Sequence, residues 1–555
     1  MPEPAADLLL RENLERLASV DPQLAASVRG AVADPRILGL PSRSGPLVPA
    51  VRAQGATAPL HSLYDPRAEA RRLVHSAGAE GFLVLFGLGG GFLAEAALEN
   101  PGTWHVVVVE KDAGVLRALM ACAPLARVLG DPRVSVVCGT GSIRGAILSR
   151  WKPALMGGMR VLSLRPWYEQ ERAHFDAAAS FVQSAEEAVR ADYSVQAHFG
   201  KRWFANMVAN LPYVGGAPPA RPRAEAPAAA VITAAGPSLD EHAAELAARG
   251  GDVMLLATDT SLPALSGRAI VPDAVLSIDC QVYGYHHFLQ GLPAGTELYL
   301  DLASPPLLSR RFPRARFVAG AHPLARYIDS HWMRLPFVDT SGGNVTHAAV
   351  TLAFALGARD ITVRGADFSY PDAKPYARGT YLYDLFQTGQ DRFCPAHSAL
   401  VSMAVANAER ESRGGKSVYT TPLMAAYRSR FEELMAGIRL LPQGGLGAPG
   451  GGEVSEVARV PSVPPAPVEG WREFLAGYAG LLESLPPARG ALDAATKADL
   501  GSGELWATLL PIAARVVRDG TPPGPAALEE ARRWAIQRSL RTVASGDAVG
   551  AGGGS

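Results

Sequence analysis

Between Ala228 and Phe368 six short apolar runs, AAVITAA, DVMLLAT, AVLSID, ELYLDL, RFVAG and DITVRGADF, alternate with sequence of helical character. Apolar runs this short are strands rather than helices, and their alternation with helices indicates a mostly parallel sheet covered on both faces. In such a doubly wound α/β arrangement ligands bind beyond the carboxyl ends of the strands, so the residues just after each run are where chemistry is expected.

A second pattern of this kind lies nearer the amino terminus. After a helical start and a Pro/Gly-rich stretch from Pro41 to Pro59 come GFLVLFGLGGGFLAEAAL and HVVVVEKD, read as strand, glycine turn, helix and strand. Gly87, Gly89 and Gly91 allow a tight turn with close backbone approach, and Glu110 ends the second strand, as in a Rossmann-like βαβ unit. A further strand follows at Arg133 to Gly139, then helical sequence from about Glu169 to Asn210. The glycine turn resembles the first motif of methyltransferases that use S-adenosylmethionine, in which Glu110 would hold ribose hydroxyls. A Rossmann-like turn that carries no ligand fits the same residues.

At 555 residues two or three domains are expected. The reading is a helical plus Rossmann-like domain over residues 1–215 and a central α/β domain over 228–440, separated by the proline-rich GGAPPARPRAEAPAAA. A Gly/Pro-rich linker over 441–470, a small helical C-terminal domain over 471–545 and a disordered tail over 546–555 complete it. Fifty-three basic residues balance 53 acidic ones, which removes global attraction to nucleic acid or anionic membrane. The first residues lack a secretory signal and no run is apolar enough to span a bilayer, so a cytoplasmic protein is expected, with no nucleic-acid partner and no membrane insertion. Cys122, Cys138, Cys280 and Cys394 have no CxxC spacing, and no metal site is assigned.

Four segments carry the candidate chemistry. In VITAAGPSLDEH, Gly236, Pro237 and Ser238 follow a buried strand and precede a helix, whose unpaired amides suit a phosphate; Ser238 as a plain N-cap is the alternative. Thr258 and Asp259 end the next strand and Asp279 the one after, where carboxylates take hydrogen bonds from sugar or base, bind metal or cap helices. Gly342, Gly343 and Asn344, with Thr346, open an apolar helix from Val345 to Leu356 and repeat the anion-binding geometry. Asp367 closes a strand, and the loop beyond it, with Tyr376, Arg378, Thr380 and Tyr381, offers polar and aromatic contacts to a sugar or an acceptor peptide.

GPSL, the TDTS strand end, PDAVLSID and GGNVTHAAVTLAFALGARDITVRGADF resemble the motility-associated (Maf) glycosyltransferases implicated in flagellin glycosylation. The same domain resembles the bacterial sialyltransferases, with a GT-A-like fold. The resemblance implies transfer of a nonulosonic sugar of the pseudaminic or legionaminic type from a CMP-activated donor to serine or threonine of flagellin. Gly236, Pro237, Ser238, Gly342, Gly343 and Asn344 would then hold CMP, while Asp259, Asp279 and Asp367 line the cleft, with Asp367 and His397 as the catalytic residues. His397 matches the sialyltransferase general base, an imidazole suited to taking a proton near neutral pH. Ala235 stands where sialyltransferases have asparagine, and Tyr376 where many relatives have histidine. His347 is read as a core residue, His286 and His287 lie beside aromatic Tyr285 and Phe288, and none of the three is assigned a metal.

Two other functions fit. The fold also resembles the archaeal-type 6-hydroxymethyldihydropterin diphosphokinases, in which magnesium on Asp259, Asp279 and Asp367 would neutralise the phosphates of ATP. A non-catalytic scaffold for flagellar proteins is the third reading.

Overall fold

The structure, a computed structural model, describes residues 3–53, 55–78, 80–214, 227–413, 416–439, 469–488 and 492–550. The chain is a mixed α/β protein that divides into two compact units, one of Met1–Gly200 with Ser484–Ala535, the other of Lys201–Glu483 with Ile536–Ser555.

In the first unit β1 (Ile37–Pro41), β2 (Leu47–Ala53) and β3 (Ala56–Pro59) form an antiparallel sheet within the stretch expected to be a Pro/Gly-rich connection. Pro49 does not break it, because it sits opposite Gly39 and its carbonyl still accepts from the Leu60 amide at 2.8 Å. The Rossmann-like expectation is met by four parallel strands, β4 (Gly81–Phe86), β5 (Thr103–Glu110), β6 (Val134–Cys138) and β7 (Met159–Ser163), in the order β6-β5-β4-β7. Every residue of β4 and β5 is buried, which is why these strands read as unbroken apolar runs.

The C-terminal helices are shared between the units instead of standing as a separate domain over 471–545. The helix Trp471–Ser484 falls almost wholly in the second unit, while Ala494–Ser502 and Glu504–Arg518 belong to the first. Buried Lys497 fixes this placement, donating to the carbonyls of Pro101 and, at 2.8 Å, Thr103, with its ammonium 5.4 Å from the Trp104 ring. Helical periodicity reveals that a helix has a buried face, but not what covers it. The expected disordered tail is helical as far as Gly550, and residues 551–555 lie outside the described residues. So do most of the two proline-rich linkers, at 215–226 and 440–468.

The second unit holds all six expected strands, β8 (Ala229–Thr233), β9 (Val253–Thr258), β10 (Ala274–Ser277), β11 (Glu297–Asp301), β12 (Arg316–Val318) and β13 (Asp360–Arg364), every pairing parallel. Their order is β12-β11-β10-β9-β8-β13. The chain therefore steps outward from β8 to β12 and then returns to place β13 on the other side of β8. That reversal is a topological switch point, where the turns after β8 and β13 diverge and open a crevice.

The helix Val345–Ala355 buries every residue from Thr346 to Ala355, as befits a segment apolar all round. Its Ala349, Leu352 and Ala353 pack with Ile232, Leu256 and Leu276 of the sheet, and Phe431 and Leu434 of the helix Pro422–Arg439 close over the same core. A small antiparallel sheet of β14 (Tyr370–Pro371), β15 (Glu409–Arg413) and β16 (Lys416–Thr420) follows the Asp367 strand end.

Candidate functional site

The carboxyl edge of the second sheet carries the site, and its centre is the switch point. Asp367 Oδ2 accepts the Ser238 amide at 3.0 Å, and the Gly236 amide donates to the Gly365 carbonyl at 2.8 Å. A Cβ on Gly236 would lie 2.2 Å from Asp367 Oδ2 and 2.5 Å from the Gly365 carbonyl oxygen, so only glycine lets the two turns approach. The backbone beyond is strained, with Phe368 at φ 45°, Asp372 at 51° and Ala373 at 56°.

This geometry corrects one expectation. The start of the short helical turn Pro237–His242 does bind an anion, but that anion is the chain's own Asp367, and the Ser238 amide is already used. The helix start at Gly342–Thr346 is arranged differently. Asn344 Oδ1 caps it by accepting from the His347 amide at 3.0 Å and Asn344 Nδ2 donates to the Gly342 carbonyl at 3.1 Å. Gly343 takes φ 75°. Among the described residues the amides of Gly342, Asn344, Val345 and Thr346 have no partner, at the positive end of an 11-residue helix.

That turn rests on a pair the sequence reading missed. Asp339 Oδ1 accepts from the Ser341 amide at 2.8 Å, and its Oδ2 lies 3.1 Å from His347 Nε2. Burial acts to raise the Asp339 carboxyl, yet the hydrogen bonds from His347 and Ser341 outweigh it and draw the carboxyl down to about 2. His347 is the buried residue its apolar setting suggested, with its ring against Gly342.

Along the same edge stands a row of carboxylates. Asp259 is buried, its Oδ1 accepting from the Thr260 amide at 2.7 Å and its Oδ2 from Ser277 Oγ at 2.6 Å. Thr258 caps the turn that follows, its hydroxyl accepting from the Ser261 amide. Asp279 accepts from the Gln281 amide at 2.9 Å; burial and the nearby Asp259 charge raise its carboxyl. Asp301, absent from the sequence expectation, ends β11 as Asp259 follows β9. It is fully enclosed, accepts from the Ala303 amide at 2.7 Å, and is pushed up by burial to about 6. Among the described residues no three His, Cys, Asp or Glu side chains are arranged to hold a metal ion.

The row is braced from behind by the end of the helix Arg172–Val214. Asn206 Nδ2 donates to the carbonyls of Cys280 and Ala303, and Asn210 Nδ2 to those of Leu302 and Ser304, at 2.8–3.0 Å. Residues four apart on a helix share a face, so two asparagines hold the backbone just past Asp279 and Asp301. The i, i+4 spacing was legible; its target was not.

The loop with Tyr376, Arg378, Thr380 and Tyr381 does reach this edge. The Ala377 amide donates to the carbonyl of Ala235 at 2.8 Å, so the residue that replaces asparagine anchors the loop through its backbone. The Arg378 amide donates to Asp240 at 3.2 Å, and Thr380 is fully buried. Burial pushes the Tyr376 phenol up to about 12, while Tyr381, raised by burial, also feels the charges of Asp279 and Asp259. His397 is exposed on the helix Ala396–Val405, and among the described residues no hydrogen bond, ion pair or ring contact joins it to the carboxylates.

In the first unit the glycine turn is filled by the chain itself. Residues Gly87, Gly89 and Gly91 are buried, and a Cβ on Gly87 or Gly89 would strike Trp167, Leu164 or His61 within 2.8 Å. The His61 Nε2 accepts the Gly90 amide at 3.0 Å, its imidazole kept neutral by burial, which lowers it to about 4. Glu110 is fully buried and accepts from the amides of Leu88 and Lys111 and from the Trp167 indole at 2.7–3.0 Å, where a ribose would otherwise bond. The reading without a ligand is the one that fits this packing.

Residues 205–373 match the family model described as 6-hydroxymethylpterin diphosphokinase MptE-like. An uncharacterised protein of Treponema pallidum (strain Nichols) is 32% identical over 158 residues, 28% of this chain and 56% of that protein. A second from the same organism is 32% identical over 145 residues, covering 26% of this chain and 69% of that protein. The chain belongs to a Maf/MptE-like family. It thus spans little more than half the length of the first of these relatives. The fold of this Maf/MptE-like chain is that of the Maf glycosyltransferase from Magnetospirillum magneticum AMB-1, with a TM-score of 0.55 over 97% of this chain and 91% of that one at 15% identity. Its family segment begins at the Asn206–Asn210 brace and ends just past Asp367, so it encloses the switch point and the carboxylate row.

Proposed function

We propose that this chain is a glycosyltransferase that moves a nonulosonic sugar of the pseudaminic or legionaminic type from a CMP-activated donor to serine or threonine of flagellin or another flagellar protein. The observation that carries the reading is the set of unpartnered amides of Gly342, Asn344, Val345 and Thr346, which share the carboxyl edge of one sheet with Asp259, Asp279 and Asp301. The helix start suits the phosphate of CMP without a lysine or a metal. The carboxylates suit hydroxyl groups of ribose and sugar, and the Tyr376–Tyr381 loop suits the acceptor. In this reading Asp367 is a positioning residue that holds the Gly236 turn. The likeness of the whole chain to a Maf glycosyltransferase supports it at the level of fold.

The diphosphokinase description of the matched family supports a second reading, with ATP in place of the nucleotide sugar. Among the described residues no three His, Cys, Asp or Glu side chains converge on one point, so in this reading magnesium on Asp259, Asp279 and Asp367 would share its coordination with the phosphates of ATP. Calorimetry with the full chain separates the two. Metal-independent CMP binding supports sugar transfer, whereas magnesium-dependent ATP binding without affinity for CMP overturns it. Binding of neither nucleotide favours the scaffold.

A further inference from the structure

The Val282–Phe288 turn folds back over the carboxylate row directly after Asp279. The Gln281 amide caps Asp279, and a Cβ on Gly284 would touch the Asp279 Cβ at 3.8 Å. At the end of that turn the His287 ring stands edge-on to the Tyr381 ring, with centroids 4.7 Å apart and an interplanar angle of 80°. His286 meets the same ring at 5.5 Å, and Tyr283 packs on His286 at 5.9 Å. Tyr381 belongs to the loop that lies beside Asp279 and Asp259. His287 Nδ1 is buried without a partner among the described residues, which leaves Nε2 as the nitrogen within reach of a ligand.

We propose that His287, not His397, is the general base of the transfer step, acting through Nε2 on the acceptor hydroxyl. The inference rests on the sugar-transfer reading. The acceptor oxygen bonds to the anomeric carbon as its proton passes to His287 Nε2. The bond from that carbon to the phosphate oxygen breaks, and its electron pair leaves with CMP. The imidazolium so formed is within electrostatic reach of the Asp279 carboxylate; Tyr381, Tyr283 and His286 are the other titratable groups around it.

The test uses the purified full chain with CMP-N-acetylneuraminic acid as probe donor and water or a serine-containing peptide as acceptor. CMP release is followed against pH, and CMP binding by calorimetry. His287→Asn is expected to lower kcat about 100-fold or more, to alter the dependence of rate on pH, and to leave the Kd for CMP within twofold. His287→Gln, measured alongside, serves if His287→Asn lowers the melting temperature. Release by both variants within threefold of the parent, with the pH profile intact, overturns the base assignment while the transfer reading stands. A parent chain that neither binds CMP nor releases it overturns both.

Discussion

The Ser238 amide donates to Asp367 Oδ2 at 3.0 Å, and this one bond ties the turn after β8 to the end of β13 across the switch point. Because a Cβ on Gly236 would sit 2.2 Å from that same oxygen, Gly236→Ala must push Asp367 aside. Overpacking of this kind costs about 1–3 kcal/mol. The expected result is a lower urea midpoint together with weaker CMP binding. Asp367→Ala removes one of the two clash partners and leaves the Gly365 carbonyl at 2.5 Å, so the double variant should recover part of the stability but not binding. A double variant no more stable than Gly236→Ala would show that the crowding lies elsewhere, against the Gly365 carbonyl.

Nucleotide binding should depend on one helix start and not on the other. Ser238 serves through its backbone amide, which Ser238→Ala keeps, so the Kd for CMP is expected to change less than twofold. Asn344 serves through its side chain, which caps the helix and shapes the Gly342 turn. Asn344→Ala should cost about 1 kcal/mol of stability and weaken CMP at least tenfold in the same calorimetric titration. Equal losses in both variants would return the phosphate to the Gly236 turn.

These contrasts mark what the sequence could and could not reveal. The six strands of the second unit were legible because each is an apolar run too short for a helix, and their ends placed Asp259, Asp279 and Asp367 on one edge. Asp301 obeys the same rule and was overlooked, although ELYLDL ends as AVLSID does. Contacts made through space were not legible. Nothing in GLGGG says that His61, Leu164 and Trp167 fill the turn, and nothing in the terminal helices says which sheet they cover. Turn chemistry likewise hid the Pro41–Pro59 sheet. Nor could spacing distinguish an amide left without a partner from one that Asp367 already holds.

The asparagine brace gives a prediction about a residue outside the cleft. Asn210 is fully buried, donating to the Leu302 and Ser304 carbonyls and accepting from Ser309 Oγ at 2.7 Å. Asn210→Ala leaves buried polar atoms without partners, at a cost of about 1–3 kcal/mol. Asn210→Asp restores the Ser309 contact but sets a carboxylate against two carbonyls, and is expected to be the worse of the two at pH 8. Chemical denaturation of both variants checks the order. The reverse order would mean that the helix end, not the two carbonyl contacts, is what Asn210 stabilises.

Asp301 ties stability to pH. Its carboxyl is raised from 3.8 to about 6 by burial, so the folded chain binds its proton more tightly than the unfolded chain does. Its stabilising contribution is complete below pH 3.8 and is lost as pH rises through about 6, leaving a buried charge that costs at most about 3 kcal/mol at pH 8. Asp301→Asn removes that charge while keeping an oxygen for the Ala303 amide. The variant is expected to be more stable than the parent at pH 8 and to lose the advantage as pH falls to 4. His61, His105 and His322, all lowered by burial, act oppositely and make both proteins less stable as pH drops below 6.5. The difference between variant and parent cancels them and isolates Asp301. A strand-end carboxylate kept at such a cost is a common mark of a functional site, so the stabilised variant should also turn over CMP-activated sugar more slowly. A variant that is both more stable and equally active would make Asp301 a structural remnant.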